Sequence, residues 1–236
     1  MLLVLVLAGC GPTSITLDTG GERSSGDSGE TGDDTGDTGG ETGGDTGGDT
    51  GDGLEDACSR WLPLNVGGAR WTYRDGGVEV IVDGNGAARW EGQDAFEVEI
   101  DDGGSSPLLQ YYVCTDEGLA ILAIASGVKY ANASAYTITW DPPVLFTPSD
   151  LTPNMEWSTS SMLTITQGGS TQSQRITSTG RTGDATTTTV AAGTFDTIPV
   201  VLDVGFGSGS EMNQWLSHDV GLVRGNIGDL LSYELP

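Results

Sequence analysis

The chain has 236 residues, of which 34 are acidic and 9 basic, so its formal net charge at pH 7 is -25. A protein this acidic repels polyanions, and we therefore expect no nucleic-acid partner. Residues 57–236, roughly 180 in all, are enough for one domain with a sizeable core. The residues before them differ in composition and need a separate explanation.

The chain opens with an apolar run, Leu2–Leu7, that continues into Ala8, Gly9 and Cys10. A transmembrane helix needs about twenty apolar residues, so this run is too short to cross a bilayer. Its length is that of the apolar core of a secretory signal. No Lys or Arg precedes the run, so either the true translation start lies upstream, which we favour, or the signal directs export only weakly. The alternative to a secretory signal is a buried apolar strand that happens to end in a cysteine.

The stretch Leu7-Ala8-Gly9-Cys10 resembles the lipobox of bacterial lipoprotein precursors. That resemblance implies a signal peptide of residues 1–9, cleavage before Cys10, a diacylglyceryl thioether on its sulfur and acylation of the new α-amine. Two or more acyl chains give stable anchoring, since each buried methylene contributes ~0.8 kcal/mol. We expect attachment to a membrane through Cys10. Because Gly11 rather than Asp follows, the resemblance favours the outer membrane, with the domain facing either periplasm or exterior.

The cysteine count supports this interpretation. The chain has 3 cysteines, and an odd number in an exported protein leaves one thiol to explain. Assigning Cys10 to lipid leaves Cys58 and Cys114, which predict a disulfide in an oxidising compartment. Closing a loop of about 57 residues would stabilise the fold by about 4 kcal/mol. Two separate buried thiols are the alternative. With no Cys-x-x-Cys pair and a single histidine, His218, we expect no metal site.

Residues 10–56 are rich in Gly, Thr, Asp and Glu, as in "TGDDTGDTGGETGGDTGGDTGDG" at 31–53. Such a segment buries too little apolar surface to offset its ordering entropy, and we expect a disordered spacer. A Gly-rich coil of about 40 residues spans roughly 35 Å, and like-charge repulsion extends it further. The spacer is therefore predicted to hold the following domain away from the membrane.

The repeated aspartates of the spacer also suggest calcium binding or aspartic-protease chemistry. An EF-hand loop needs a fixed order of carboxylates and a distant Glu, which the repeat lacks. A calcium-roll repeat needs a large apolar residue in each unit. An aspartic dyad needs an apolar-walled cleft. Only loose calcium association is left open.

Beyond Cys58 the patterns are those of strands. The segment "AFEVEID" alternates Phe96, Val98 and Ile100 with Glu97, Glu99 and Asp101, which is the period of a half-buried strand. Strands are also predicted at "LLQYYVC" (108–114), at "LAILAIAS" (119–126), which is apolar on both faces and so central, and at several later segments.

Two predicted strand breaks depend on turn-forming residues. "VEVIVDGNGAARW" (78–90) contains Asp83-Gly84-Asn85-Gly86, which predicts a hairpin of two strands. "AYTITW" (135–140) meets Asp141-Pro142-Pro143, where proline is expected to end the strand.

No stretch shows helical periodicity over three turns, so the predicted fold class is all-β. We expect an antiparallel sheet, sandwich or half-barrel-like domain over residues 57–236, following the disordered tether. A faint internal echo relates "LNVGGARWTY" (64–73) to "LTPNMEWSTS" (151–160). It suggests two similar β-halves with a period near 86 residues.

Four short motifs resemble landmarks of bacterial lipoproteins of the delta-proteobacterial, myxobacterial type. They are "LPLNVGGARWTY", "YYVCTDEGL", "AAGTFDTIPV" and "SHDVGLVRG". The resemblance covers most of residues 58–236, and the first motif has one extra residue between Leu64 and Trp71. It implies an envelope location and a C-terminal β-domain, and it brings no established activity.

Candidate catalytic residues are few. Ser217, His218 and Asp219 are consecutive and cannot form a triad among themselves, because neighbours on a strand face opposite sides. The row Glu97, Glu99 and Asp101 resembles a glycosidase pair, although such a row on an exposed strand is usually solvated. Asn132-Ala133-Ser134 fits a glycosylation sequon. We expect it to stay unmodified, because the lipobox resemblance points to a bacterial protein. We predict no catalytic site and no cofactor.

Six tryptophans, at 61, 71, 90, 140, 157 and 215, are expected mainly in the core.

The leading hypothesis is a lipid-anchored envelope β-domain with a structural, adhesion or interaction role and an envelope-protein or glycan partner. The alternatives are a carrier of an apolar ligand or acyl chain in a curved sheet, suggested by "LAILAIAS", and an acidic-dyad glycan hydrolase.

Overall fold

The computed structural model describes residues 58, 60–64, 67–104, 106–127, 135–205, 211–218 and 220–236. These residues form thirteen strands: β1 (Ala69–Asp75), β2 (Val78–Trp90), β3 (Gln93–Asp101), β4 (Leu108–Cys114), β5 (Gly118–Ser126), β6 (Tyr136–Pro148), β7 (Glu156–Gln167), β8 (Ser170–Thr182), β9 (Thr186–Val190), β10 (Gly193–Asp203), β11 (Glu211–Ser217), β12 (Gly221–Gly225) and β13 (Gly228–Glu234). The all-β prediction is confirmed. The predicted signal peptide, Cys10, the spacer and the sequon at 132–134 lie outside the described residues.

Twelve of the strands form a closed antiparallel barrel. The strands from β1 to β8 pair in chain order, β8 pairs with β10, and β10 to β13 continue the series. The ring closes where β13 pairs with β1, for example at Trp71↔Tyr233. β9 lies outside the ring and pairs with the first half of β10. Closure leaves the ring strands with a partner on each side, which removes the open edges of a flat sheet.

Among the described residues, no helix has the length and apolarity that crossing a bilayer would require.

Alternation along the strands fills the interior of the barrel. On β1, buried Ala69, Trp71 and Tyr73 alternate with more exposed polar residues. The predicted alternation on β3 is confirmed, with Val98 and Ile100 buried inside the barrel. Large side chains contributed by many strands complete this core: Trp71, Trp140, Leu119, Ile124, Leu163, Leu202, Leu216 and Leu230 are each less than 2% exposed.

The predicted hairpin at 83–86 is wrong, because residues 78–90 form the single strand β2. β1 pairs with β2 up to Ala69↔Gly84. On the other side, the register with β3 shifts between Gly84↔Val98 and Gly86↔Glu97, leaving Asn85 as the extra residue of a bulge. The turn-forming residues therefore produce a bulge. The pairing on both sides keeps the strand continuous.

The predicted end of a strand at Pro142-Pro143 is also wrong, since β6 continues to Pro148. What the prolines interrupt is the pairing. The ladder with β7 ends at Asp141↔Met162, and the ladder with β5 skips from Ala123↔Thr139 to Ile121↔Val144. Proline has no N–H to donate, so β6 passes this point without ladder bonds and then resumes with β5.

β5 is buried on both faces, as its composition predicts. Its inward side chains, such as Ile124, belong to the main core. Its outward side chains belong to a second apolar cluster on the outside of β3, β4 and β5, together with Leu109 and Tyr111. An apolar run on both faces is thus explained by two apolar environments.

The barrel divides into two sets of six ring strands, β1–β6 and then β7, β8 and β10–β13. The echo found in the sequence falls at equivalent places, since Trp71 lies on the first strand of one set and Trp157 on the first strand of the other. The fifth strand of each set begins at a glycine with positive φ, Gly118 at 143° and Gly221 at 93°, followed by leucine. The internal duplication stays a prediction.

Candidate ligand-binding cavity

The short segment before β1, residues 60–64, is here called the entry segment. Leu64 is buried within the main core. Gly221 lies against the segment, because a Cβ at this position would be 3.0 Å from Leu62 Cδ1. Just ahead of the segment, a disulfide joins Cys58 to Cys114 at the end of β4, with the Cα atoms 5.8 Å apart. The predicted disulfide is confirmed, and it secures the entry segment to the barrel.

A cavity lies between the entry segment and the interior of the barrel. Its walls come from Leu62 and Leu64 of the entry segment and from inward side chains of β1–β4, β6, β11 and β12. About 50 Å³ is open to the centre of a water-sized molecule. A water needs at least about 10–15 Å³ on this measure, so the cavity has room for a few small molecules or one slightly larger one.

Two glutamines are the polar groups in an otherwise apolar and aromatic wall. Gln110, on β4, is 2% exposed, and Gln214, on β11, is 6% exposed. Gln110 Oε1 accepts a hydrogen bond of 2.7 Å from the Tyr112 hydroxyl. Gln110 Nε2 is buried and makes no hydrogen bond with any described group. An unpaired buried amide donor is costly, so an acceptor that reached this nitrogen would stabilise it.

Two aromatic side chains of the wall, Trp71 and Tyr73, are held by hydrogen bonds to backbone carbonyls at residues 220 and 222. Trp71 Nε1 donates to the Val220 carbonyl at 2.7 Å, and the Tyr73 hydroxyl donates to the Leu222 carbonyl at 2.8 Å. Burial raises the pKa of Tyr73 and that of Tyr112 far above the ordinary range of a tyrosine. Both phenols are therefore neutral donors at any physiological pH.

His218 lies beside the entry segment. Its ring meets the Trp61 ring edge-on, with the centroids 5.6 Å apart. This contact belongs to the packing of the entry segment on the turn between β11 and β12.

The carboxylate row lies on the outward face of β3, as predicted. Glu97 Oε1 accepts from Asn85 Nδ2 at 2.8 Å. Burial, aided by a hydrogen bond to Glu97, raises the pKa of Tyr111. Asp101 Oδ1 accepts from the Gly103 amide at 2.8 Å. These contacts give Glu97 and Asp101 local roles at a bulge and a turn. Within the described part of the chain, no group of three or more His, Cys, Asp or Glu side chains is placed to hold a metal ion.

The tryptophans are divided among the interior, the entry segment and the outer surface. Trp71 and Trp140 are 1% exposed and lie in the main core. Trp157 packs against that core and donates to the Leu145 carbonyl at 3.1 Å. Trp90 lies with Tyr111 in the outer apolar cluster, with ring centroids 4.6 Å apart. The expectation of mainly core tryptophans is confirmed for the first three.

Gln110 and Gln214 are not among the site residues predicted from the sequence. One signal was available, since Gln110 lies between Leu109 and Tyr111 in a run that is otherwise apolar. At period two this position shares a face with Leu108 and Tyr112, and both are buried. A polar residue at an inward position of a buried strand is informative.

Comparisons with protein-family models, with curated proteins and with solved structures each return no match.

Proposed function

We propose that the protein is a lipid-anchored β-barrel domain of the bacterial cell envelope. Cys10 carries the lipid, the outer membrane holds the anchor, and the barrel has a structural, adhesion or interaction role. The single observation that carries this proposal is the lipobox-like stretch Leu7-Ala8-Gly9-Cys10 ahead of a long acidic Gly/Thr segment.

The disulfide gives independent support. Of the 3 cysteines, Cys58 and Cys114 are bonded to each other, which leaves Cys10 as the remaining thiol. Disulfides persist in oxidising compartments outside the cytosol. A chain that forms one and also begins with a lipobox-like stretch has two features of an exported lipoprotein.

The acidic spacer has a physical role in this proposal. A Gly-rich coil of about 40 residues spans roughly 35 Å and swells under its own charge. It would place the barrel beyond the lipid headgroups, where its outer surface is free to meet envelope proteins or glycans.

The proposed role is non-enzymatic, and the described candidates fit it. Glu97 and Asp101 hold a bulge and a turn, and His218 packs on Trp61. A glycan hydrolase remains the alternative of a different class. It predicts that glycan cleavage by the wild type is lost in Glu97→Gln, and a panel of glycans tests this directly.

Metabolic labelling with radioactive palmitate tests the anchor. We expect label on the wild type and on Cys58→Ala, and none on Cys10→Ala. The Cys58→Ala variant is the matched control, because it removes a thiol of the disulfide and leaves the lipobox intact. An unlabelled wild type, or equal labelling of Cys10→Ala, would overturn the proposal.

A further inference from the structure

We infer that the cavity between the entry segment and the barrel interior binds a small, mainly apolar molecule that carries one hydrogen-bond acceptor, such as a short-chain ketone. This site is independent of the lipid anchor, so either proposal can fail without the other.

The acceptor is specified by Gln110. The Tyr112 hydroxyl donates to Gln110 Oε1 at 2.7 Å, and this bond occupies the amide oxygen. The amide nitrogen is then left buried and unpaired in a residue that lines the cavity. A rotation of the Gln110 side chain toward the cavity would let a carbonyl oxygen there accept from this N–H and satisfy the donor.

The remaining residues of the cavity wall indicate that most of the ligand is apolar. Val82, Val98 and Ile100 line the cavity beside the aromatic rings of Tyr112 and Phe146. None of the lining residues is charged. A charged ligand would lose its hydration without gaining a counter-charge, so the site selects neutral molecules.

The size of the ligand follows from the volume. The 50 Å³ open to the centre of a water-sized molecule corresponds to roughly four water positions. A molecule of about five non-hydrogen atoms occupies this space, whereas a long acyl chain exceeds it. The described interior therefore favours a small ligand over the acyl chains of a lipid.

Access to the cavity lies beside the entry segment. Leu62 and Leu222 line the cavity and are both only partly buried, unlike Leu64 and Leu216. These two side chains mark the mouth. The disulfide at Cys58 holds the segment that carries Leu62 against the barrel.

The experiment compares 2-butanone with 2-methyl-1-butene, in which a methylene group replaces the carbonyl oxygen. Both are titrated into the full-length protein, and binding is followed by NMR shifts of the Val82 and Ile100 methyl groups. We expect the ketone to bind about fivefold tighter than the alkene, as one net hydrogen bond provides.

The preference for the ketone should depend on Gln110. In Gln110→Leu, or in Gln110→Met if the leucine variant does not fold, the two probes should bind equally. Gln172→Leu, an exposed glutamine on β8, is the matched control and should keep the fivefold preference. If neither probe shifts the two methyl resonances in the wild type, the cavity holds only water and the inference is overturned. Equal binding by the wild type, or a ketone preference retained without Gln110, overturns it as well.

Discussion

Tyr73 and Tyr112 lie inside the barrel as neutral phenols, and this has a consequence for stability in alkali. Burial raises the pKa of both above the ordinary tyrosine value of 10.0. Above pH 10 the unfolded chain therefore loses phenolic protons that the folded barrel retains, so stability falls as pH rises. Below pH 10 both states keep these protons, and this contribution is fully present.

We predict that each fully buried tyrosine lowers the free energy of unfolding by about 1.4 kcal/mol per pH unit above 10. Urea unfolding at a series of pH values from 9 to 11 measures the slope. Tyr73→Phe should reduce the slope by this amount, while losing about 1 kcal/mol at every pH from its missing hydrogen bond to the Leu222 carbonyl. An unchanged slope in Tyr73→Phe would show that Tyr73 does not carry the effect.

Gly180 is required by the position of one tryptophan. Trp157 and Gly180 are cross-strand partners on β7 and β8, and a Cβ at 180 would overlap the indole ring. Trp157 is also fixed by its hydrogen bond to the Leu145 carbonyl, so it has little freedom to move away. We predict that Gly180→Ala lowers the free energy of unfolding by about 3 kcal/mol, as overpacking does.

Gly183→Ala is the matched control for this substitution. A Cβ at 183 would meet only the Pro199 side chain, at 3.7 Å, which is ordinary contact. Its effect should stay within about 1 kcal/mol. Chemical denaturation of both variants checks the difference, and equal stabilities would mean that the indole does not occupy this position in solution.

At the scale of elements, the entry segment depends on its disulfide. The bond closes a sequence separation of 56 residues. We predict that the double variant Cys58→Ala, Cys114→Ala loses about 4 kcal/mol in the free energy of unfolding, as the chain-entropy relation gives. Cys10→Ala should leave this free energy unchanged. Urea unfolding measures both, and an equally stable double variant would contradict the prediction.

Individual strands differ in how well the sequence predicts them. β3 follows from alternation alone, because Val98 and Ile100 meet the core while Glu97 and Glu99 face outward. β2 and β6 were predicted to break at glycine and proline. Such residues signal a loss of regular pairing, and whether the chain turns or bulges depends on the neighbouring strands. β1 pairs with β2 up to Gly84 and β3 pairs with β2 on both sides of Asn85, so β2 continues through the bulge.

The cavity, like the strands, could be predicted from the sequence only in part. The inward position of Gln110 could be predicted from period two on β4. Its unpaired nitrogen could not, because that depends on Tyr112 and on side chains from other strands and the entry segment. The disulfide was predictable without geometry, since the cysteine count allows few pairings.

At the scale of the whole molecule, the barrel depends on the meeting of its first and last strands. β13 pairs with β1 through five residue pairs and buries Leu230 completely. We predict that removing residues 228–236 abolishes cooperative folding, because β1 and β12 both lose a partner and the core opens. Removing only residues 235–236, of which Leu235 is 39% exposed, should leave the melting transition intact. A cooperative melt of the longer truncation would contradict this role of β13.

The closed ring also explains why the class of fold was predictable and its closure was not. Alternating patterns and the lack of helical periodicity fix an all-β domain. Closure depends on the β1–β13 ladder, with pairs such as Arg70↔Glu234 near opposite ends of the described chain, and no local pattern signals it. The echo between Trp71 and Trp157 is a second long-range signal in the sequence, beside the cysteine pair, and it falls on the first strand of each six-strand set.

The most direct test of the envelope proposal is the mass of the N-terminal peptide of the mature protein, isolated from membranes of the native host. The proposal predicts a chain that begins at Cys10 and bears a diacylglyceryl thioether and an N-acyl group. A peptide that retains residues 1–9, or one that begins at Cys10 with a free thiol, would contradict it.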